Sequence, residues 1–299
     1  MSKIAAIGMF DGVHSGHRTL LDFLAVEGRR HGLGTMVVTF DGHPLSLVDP
    51  GRAPGLLMDA GRRRQALLDA GVDEVVMLHF DDGMRRMDAA GFMSMLHDRY
   101  GVSCLVVGYD HRFGHGRTEG FDDYVRIGRV LGMDVLRAPE QEGVSSSAIR
   151  AALCGGDIAG ANAMLGYRYE ISGRVGHGRQ LGRTIGFPTA NLCTDAGRLV
   201  PKRGVYAAEV MVDGDGVWRM AMLNIGHRPT VEGSDCAPVS VEVHIIGFCR
   251  DIYGHRIAVR FIGRLRDEMR FGSVEALRQQ LEEDRRCVQD NFRSSVNFV

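Results

Sequence analysis

"IGMFDGVHSGHRTLL" occupies residues 7–21: an apolar run ends in a Phe-Asp-Gly turn, and two histidines three apart follow as a helical pattern begins. On a first helical turn His14 and His17 face the same way. A helix N-terminus that follows a glycine turn presents free N–H groups and the positive end of the helix dipole to anions. Two imidazoles added there supply donors for phosphate oxygens, above all where charge builds on a group in transfer. A zinc site would need at least a third ligand, and the plain alternative is polar decoration of a helix start.

Working outward, "KIAAIG" (3–8), "TMVVTF" (35–40), "EVVMLHF" (74–80), "CLVVG" (104–108) and "DVLRA" (134–138) read as strands. The stretches 16–31, 61–70, 89–100 and 121–132 between them carry helical spacing of apolar residues. Near-continuous apolar strands alternating with helices predict a doubly wound parallel sheet covered on both faces. Such sheets bind ligands beyond the C-terminal ends of their strands, where Phe10–His17 lies. After about residue 140 the rhythm changes. Two short helices are followed by "YEISGRV", "GVYAAEVMV", "WRMAMLNIG", "VSVEVHIIGF" and "HRIAVRFIGRL", which predict a small antiparallel β-barrel. "SVEALRQQLEEDRRCVQDNF" (273–292) opens on a serine cap and reads as a closing helix. The expected organisation is therefore an α/β domain over 1–160 and an all-β domain with a C-terminal helix over 161–299.

Composition narrows the function. With net charge -1 and 24% charged residues, the chain has no electrostatic bias toward nucleic acid or membrane. Its six cysteines are scattered without a Cys-x-x-Cys pair, which speaks against a zinc ribbon or a disulfide framework and suits a reducing cytoplasm. No stretch reaches the roughly 20 apolar residues of a membrane span, and the N-terminus lacks a signal-peptide pattern. Lys3 and Lys202 are the only lysines, and neither follows a glycine loop, so a Walker-type phosphate loop is excluded. Phosphates must be held by arginine forks, helix N-termini and histidines.

The second informative stretch is "GRVGHGRQLGRTIGFPTANL" (173–192). Thr189 and Asn191 are two apart and share a strand face. A hydroxyl and an amide oxygen side by side are hard ligands suited to Mg²⁺ carrying a nucleotide phosphate. Glycines 176, 178 and 182 let backbone N–H groups approach phosphates closely.

These segments resemble two families. "FDGVHSGH" matches the His-x-Gly-His signature of nucleotidyltransferases, which transfer AMP or CMP to a phosphate. "TFDGHP" (39–44), "GVDEVVMLHF" (71–80), "VVGYDHRFGHGR" (106–117) and "VSSSAIR" (144–150) are similar to the adenylyltransferase module of bacterial bifunctional riboflavin kinase/FAD synthetase. "GRTIGFPTAN" is similar to the riboflavin kinase signature, and the likeness continues through "RGVYAAEV", "MLNIGHRPTV", "VEVHIIGFCRDIYG" and "LRDEMRFGSVEAL". The resemblance implies phosphorylation of riboflavin to FMN in the second half and adenylylation of FMN to FAD, with release of pyrophosphate, in the first. It implies riboflavin, FMN and ATP as substrates, with Mg²⁺ as the divalent ion.

By the same resemblance His14, His17 and Arg150 stabilise charge in the first half. Gly8, Phe10, Asp11, Gly12, Gly16, Ser146 and Ser147 hold nucleotide, and His43, Asp110 and Phe113 shape the flavin side. In the second half Glu242 is the base, Gly176, Gly178, Gly182, Arg183, Thr189 and Asn191 hold nucleotide and metal, and Arg266 and Asp267 lie beside the flavin. Met9, Gly42 and His111 depart from the family's usual Asn, Pro and Phe, which bears on flavin affinity or rate in the first half. Two other readings remain open from the sequence: a chain keeping only the kinase activity, and a flavin or nucleotide sensor without turnover.

Overall fold

The computed structural model describes residues 2–109, 112–139, 142–178, 181–227 and 239–296. Asp110, His111, Cys236 and most of the "GHRPTV" run lie outside them. The chain forms two compact units, Met1–Ser146 and Ser147–Val299.

The first unit runs β1 (Lys3–Ile7), α1 (Ser15–His31), β2 (Gly34–Phe40), α2 (Leu45–Val48), α3 (Ala60–Asp69), β3 (Glu74–Leu78), α4 (Asp82–Arg86), α5 (Ala89–Tyr100), β4 (Val102–Val107), α6 (Phe121–Leu131) and β5 (Asp134–Arg137). Its five strands are parallel in the order β3-β2-β1-β4-β5. Ile4–Ile7 and Met36–Val38 are buried, as strands covered on both faces require. Leu21 and Leu24 of α1 are buried too, and α1 ends at Gly32 in the left-handed conformation (φ 64°) that glycine adopts without steric cost. The strand order reverses at β1, with β2 on one side and β4 on the other. The crevice beyond its C-terminal end is therefore the topological switch point of the sheet.

The second unit contains α7 (Ser146–Gly155), which starts at the division, and α8 (Ile158–Leu165). There follow β6 (Glu170–Gly176), α9 (Leu181–Thr184), β7 (Ala190–Thr194), β8 (Gly204–Val212), β9 (Arg219–His227), β10 (Val239–Ile245), β11 (Arg256–Arg266) and α10 (Val274–Val296). Six antiparallel strands close as β10-β7-β6-β11-β8-β9. Each strand places alternate residues inside and outside. Leu223, Ile225, Val241 and Val243 fill the interior, while Ala207 and Met222 on the outer face pack with Phe187 against Val288 of α10. Ser273 caps α10 by accepting the Ala276 N–H at 3.2 Å.

Both expected layers form, and β7 arises within the glycine-rich stretch. The short helices α2 and α4 carry too few residues for a periodic signal and were not anticipated. Among the described residues Cys104, Cys154, Cys249 and Cys287 are free thiols.

Candidate active sites

In the first unit, the chain leaving β1 makes a strained turn before α1. Phe10 (φ 49°) and Val13 (φ 38°) both have positive φ, and Gly12 between them has φ 87°. A β-branched residue with positive φ is held there only by its surroundings, and such strain concentrates at functional sites. Here the restraints are visible. Val13 N–H donates to the Phe10 carbonyl (3.0 Å), the Thr39 hydroxyl to the Met9 carbonyl (3.0 Å), and the Ser146 hydroxyl to the Asp11 carbonyl (3.0 Å). The Asp11 carboxylate, 1% exposed, accepts the N–H groups of Leu57 and Met58 at 3.0 Å. It ties the 57–58 segment to the turn.

This turn delivers His14 as the N-cap of α1. Its Nδ1 accepts the His17 N–H at 3.3 Å, so a neutral His14 carries its proton on Nε2. The His14 and His17 rings stack at 3.6 Å between centroids and 20° between planes. Gly16 leaves room for that stack, since a Cβ there would lie 3.3 Å from the His14 ring, and a Cβ on Gly8 would lie 3.1 Å from the Phe10 ring. Among the described residues no group of three His, Cys, Asp or Glu could hold a metal, so the pair gathers no third zinc ligand from that set. Thus Gly8, Phe10, Asp11, Gly12, His14, Gly16, His17 and Ser146 come together at the switch point. Ser147 and Arg150 lie on α7, one and four residues after Ser146.

Around the ends of β2 and β3 the structure adds groups that sequence reading missed. Phe40 and Leu78 pair in register, so the residues that follow, Asp41 and His79, stand side by side with His79 Nδ1 2.7 Å from Asp41. That hydrogen bond and charge raise the His79 pKa above the ordinary imidazole value. Gly42, where the family has proline, donates its N–H to Asp41 at 2.7 Å, a bond proline lacks. His43 Nδ1 accepts the Leu45 N–H at 3.2 Å. Arg63 of α3 is fully buried, donates to the Phe40 carbonyl, and feels the charges of Asp11, Asp59 and Asp41. Phe113 belongs to the core, stacked on Tyr124 at 4.1 Å.

In the second unit, register decides the site. Glu242 on β10 is paired with Asn191 on β7, which is paired with Gly176 on β6. Directly opposed residues share a face. A carboxylate and an amide separated by 51 positions thus sit together on the outer face. Gly178 is required by this arrangement: a Cβ there would lie 1.9 Å from Asn191 Nδ2. Gly182 is equally constrained, because its Cβ would lie 2.1 Å from the Phe187 carbonyl oxygen and its own carbonyl accepts the Phe187 N–H at 2.8 Å. His244, two residues beyond Glu242 on the same face, donates from Nδ1 to the Pro188 carbonyl at 2.8 Å and so fixes the start of the Pro-Thr-Ala-Asn run. Burial lowers the His244 pKa, the bond to Pro188 opposes this in part, and the charge of Arg285 lowers it further.

A cleft of about 70 Å³ opens beside Thr189 and Arg183, with Arg250 and Tyr253 also lining it. Tyr253 stacks on His177 at 4.2 Å. Neither Arg250 nor Tyr253 was expected from sequence. Arg266 is held by the buried carboxylate of Asp284 on α10, through Nε at 3.0 Å and Nη2 at 2.7 Å. Asp267 pairs with Arg264, which holds its carboxyl below the usual carboxylate range. These two residues flank the segment entering α10 and are engaged with protein partners.

Comparison with known proteins gives a consistent result. The FAD synthetase family model matches residues 1–149 and the riboflavin kinase model residues 165–292. The curated bifunctional riboflavin kinase/FMN adenylyltransferase of Escherichia coli K12 is 39% identical over 294 residues, covering 97% of this chain and 92% of that protein. The Pseudomonas fluorescens protein of the same name is 38% identical over 286 residues, covering 94% and 90%. A crystal structure of a macrolide-efflux protein from Streptococcus pneumoniae matches with TM-score 0.84 at 28% identity, covering 96% of this chain and 94% of that chain.

Proposed function

The chain belongs to the family of bifunctional riboflavin kinase/FMN adenylyltransferases, and from that premise we propose how its own residues divide the work. It phosphorylates riboflavin to FMN and adenylylates FMN to FAD. ATP is the co-substrate of both steps. We assign the kinase to 161–299 and the adenylyltransferase to 1–160.

In the barrel, Glu242 accepts the proton of the terminal ribityl hydroxyl as its oxygen attacks the γ-phosphorus of ATP. The new P–O bond forms as the bond to the β-phosphate breaks, and ADP leaves. Such transfer depends on alignment and charge neutralisation rather than covalent help from the protein. Thr189 and Asn191 offer neutral oxygen donors, and Gly178 leaves the Asn191 amide its place. The pair fits Mg²⁺, which, when bound with ATP, neutralises phosphate charge. Gly176, Gly178 and Gly182 bring backbone close to the nucleotide, and Arg183 reaches its phosphates from the cleft. Arg266 and Asp267 shape the flavin side through their own ion pairs.

In the α/β unit, an FMN phosphate oxygen attacks the α-phosphorus of a second ATP, and pyrophosphate departs with the α–β bridging oxygen. The His14 Nε2–H, His17 and Arg150 stabilise the charge that develops, and the Ser147 hydroxyl and the Ser146 backbone N–H hold phosphate oxygens at the start of α7, the Ser146 hydroxyl being donated to the Asp11 carbonyl. Asp11 acts through the turn it restrains. His43, Asp110 and Phe113 define the flavin side. Met9 meets Thr39 through its backbone carbonyl, a contact that does not depend on the side-chain departure at this position. ATP as co-substrate supports a cytoplasmic location, and among the described residues no helix is long and apolar enough to cross a membrane.

The observation that carries the kinase assignment is the pairing of Glu242 with Asn191 across β10 and β7. The test incubates the protein with riboflavin, ATP and Mg²⁺ and separates the flavins. The wild type yields FMN and FAD, Glu242→Gln yields neither from riboflavin yet converts supplied FMN, and His14→Ala/His17→Ala stops at FMN. Loss of both products in the histidine double variant overturns the division of labour.

A further inference from the structure

The polar row on the outer face of the barrel continues one strand past Glu242. On β9 the residue directly opposite Glu242 is Asn224, as Asn191 is on β7. Glu242 therefore stands between two neutral amides, with β-carbons of opposed residues about 4.5–5.5 Å apart. Met222, two residues before Asn224, packs against α10, which places Asn224 on the same outer face.

Asn224 also reaches a second carboxylate. Its Nδ2 donates to Oε1 of Glu268 at 3.4 Å. Glu268 sits in the segment between β11 and α10, two residues past Arg266, whose ion pair with Asp284 anchors that segment. Gly226, two residues beyond Asn224, clears the space: a Cβ there would lie 2.5 Å from Glu268 Oε1 and 3.2 Å from Asn224 Nδ2. Asn224 thus opposes Glu242 in strand register while its amide bonds the segment that carries Glu268.

We propose that Asn224 is a positioning residue of the kinase reaction, orienting the Glu242 carboxylate toward the acceptor hydroxyl and holding Glu268 where it binds a second hydroxyl of a polyol chain. The inference rests on Glu242 being the base. A neutral donor suits this task, because a cation in its place would stabilise the carboxylate and weaken it as a base. An apolar residue would remove that donor. Among the described residues, the charged or titratable groups near this face include His244 on β10 itself, Glu268, the Arg266–Asp284 pair, and Arg285 of α10, whose charge acts on His244. The acceptor class that fits is a chain of neighbouring hydroxyls, with the terminal one at Glu242 and an inner one at Glu268.

The test is steady-state kinase kinetics on the full chain, with conversion of supplied FMN to FAD as the internal control for folding. Asn224→Ala is expected to lower kcat about 10- to 100-fold with the KM for ATP within twofold of wild type. Glu268→Gln is expected to raise the KM for riboflavin about tenfold with kcat little changed. Asn224→Asp is isosteric and adds a like charge opposite Glu242, so the acid limb of the kcat–pH profile should rise by roughly one unit. An unmoved limb would mean that position 224 does not face the Glu242 carboxylate, and the fall in kcat at unchanged KM separates positioning from a purely structural role. The inference is overturned if Asn224→Ala keeps kcat within twofold, or if Asn224→Asp is active with an unmoved acid limb. Retained kinase activity in Glu242→Gln would instead remove the base assignment itself.

Discussion

Replacing Gly178 with alanine tests the kinase site through a single methyl group. The added Cβ would lie 1.9 Å from Asn191 Nδ2, 2.5 Å from its Cγ and 2.8 Å from its Oδ1. Ordinary contacts between such atoms fall near 3.5 Å, so the whole amide must move by roughly 1–1.5 Å. The backbone at 178 is not in the left-handed region, so alanine adds no strain of its own. Asn191 is partly exposed and can rotate away, which keeps the stability cost to about 1 kcal/mol or less. A displacement of about 1 Å in an aligned site costs on the order of 100-fold in rate, or about 2.7 kcal/mol of transition-state free energy. The assay runs two incubations, one with riboflavin and one with FMN, and quantifies the flavins. FMN formation should fall about 100-fold while conversion of supplied FMN to FAD is unchanged. Kinase activity within threefold of wild type would refute the claim that Asn191 must stay where glycine leaves it room.

Three further outcomes follow from the same geometry. Asp284→Asn breaks a bidentate pair whose side chains are 17% and 5% exposed; a fully buried pair would cost 3–5 kcal/mol, and the exposed edge of Arg266 reduces this to about 2 kcal/mol in chemical denaturation, so a loss below about 0.5 kcal/mol would show the tether to be idle. Burial holds the folded His244 pKa below its unfolded value, so the unfolded chain binds the proton first as pH falls. The barrel should therefore lose stability on going below about pH 6.5, and His244→Asn, which keeps a donor for Pro188, should flatten that slope in thermal melts at pH 7 and pH 5. Burial pushes the Cys104 thiol up to about 12, so native-state alkylation near pH 8 should modify the exposed Cys154, Cys249 and Cys287 and spare Cys104; rapid modification of Cys104 would contradict its burial.

The adenylyltransferase turn shows how a sequence motif and its tertiary setting differ. The spacing of His14 and His17 announces a shared face, and the structure stacks their rings. Nothing near Asp11 in sequence announces that its carboxylate meets the amides of Leu57 and Met58, because those partners arrive only when the chain folds back. Arg63 is similar: it stands in a run of three arginines, yet it is fully buried and donates to the Phe40 carbonyl at the end of β2. Arg266 was expected beside the flavin, and the structure engages it with Asp284 on a helix that the local pattern did not link to it.

The sequence alone determined the two layers, the switch-point location of the histidines and the glycine-rich run before Thr189 and Asn191. Those features are local: apolar period, turn residues and glycine spacing act over a few positions, where steric and burial effects are already fixed. Only the tertiary structure decided which strands adjoin, and with that the placing of Asn191, Glu242 and Asn224 in one row. Strand pairing is a long-range choice made by burying one face of every strand at once, and a slip of one residue would turn the whole row inward.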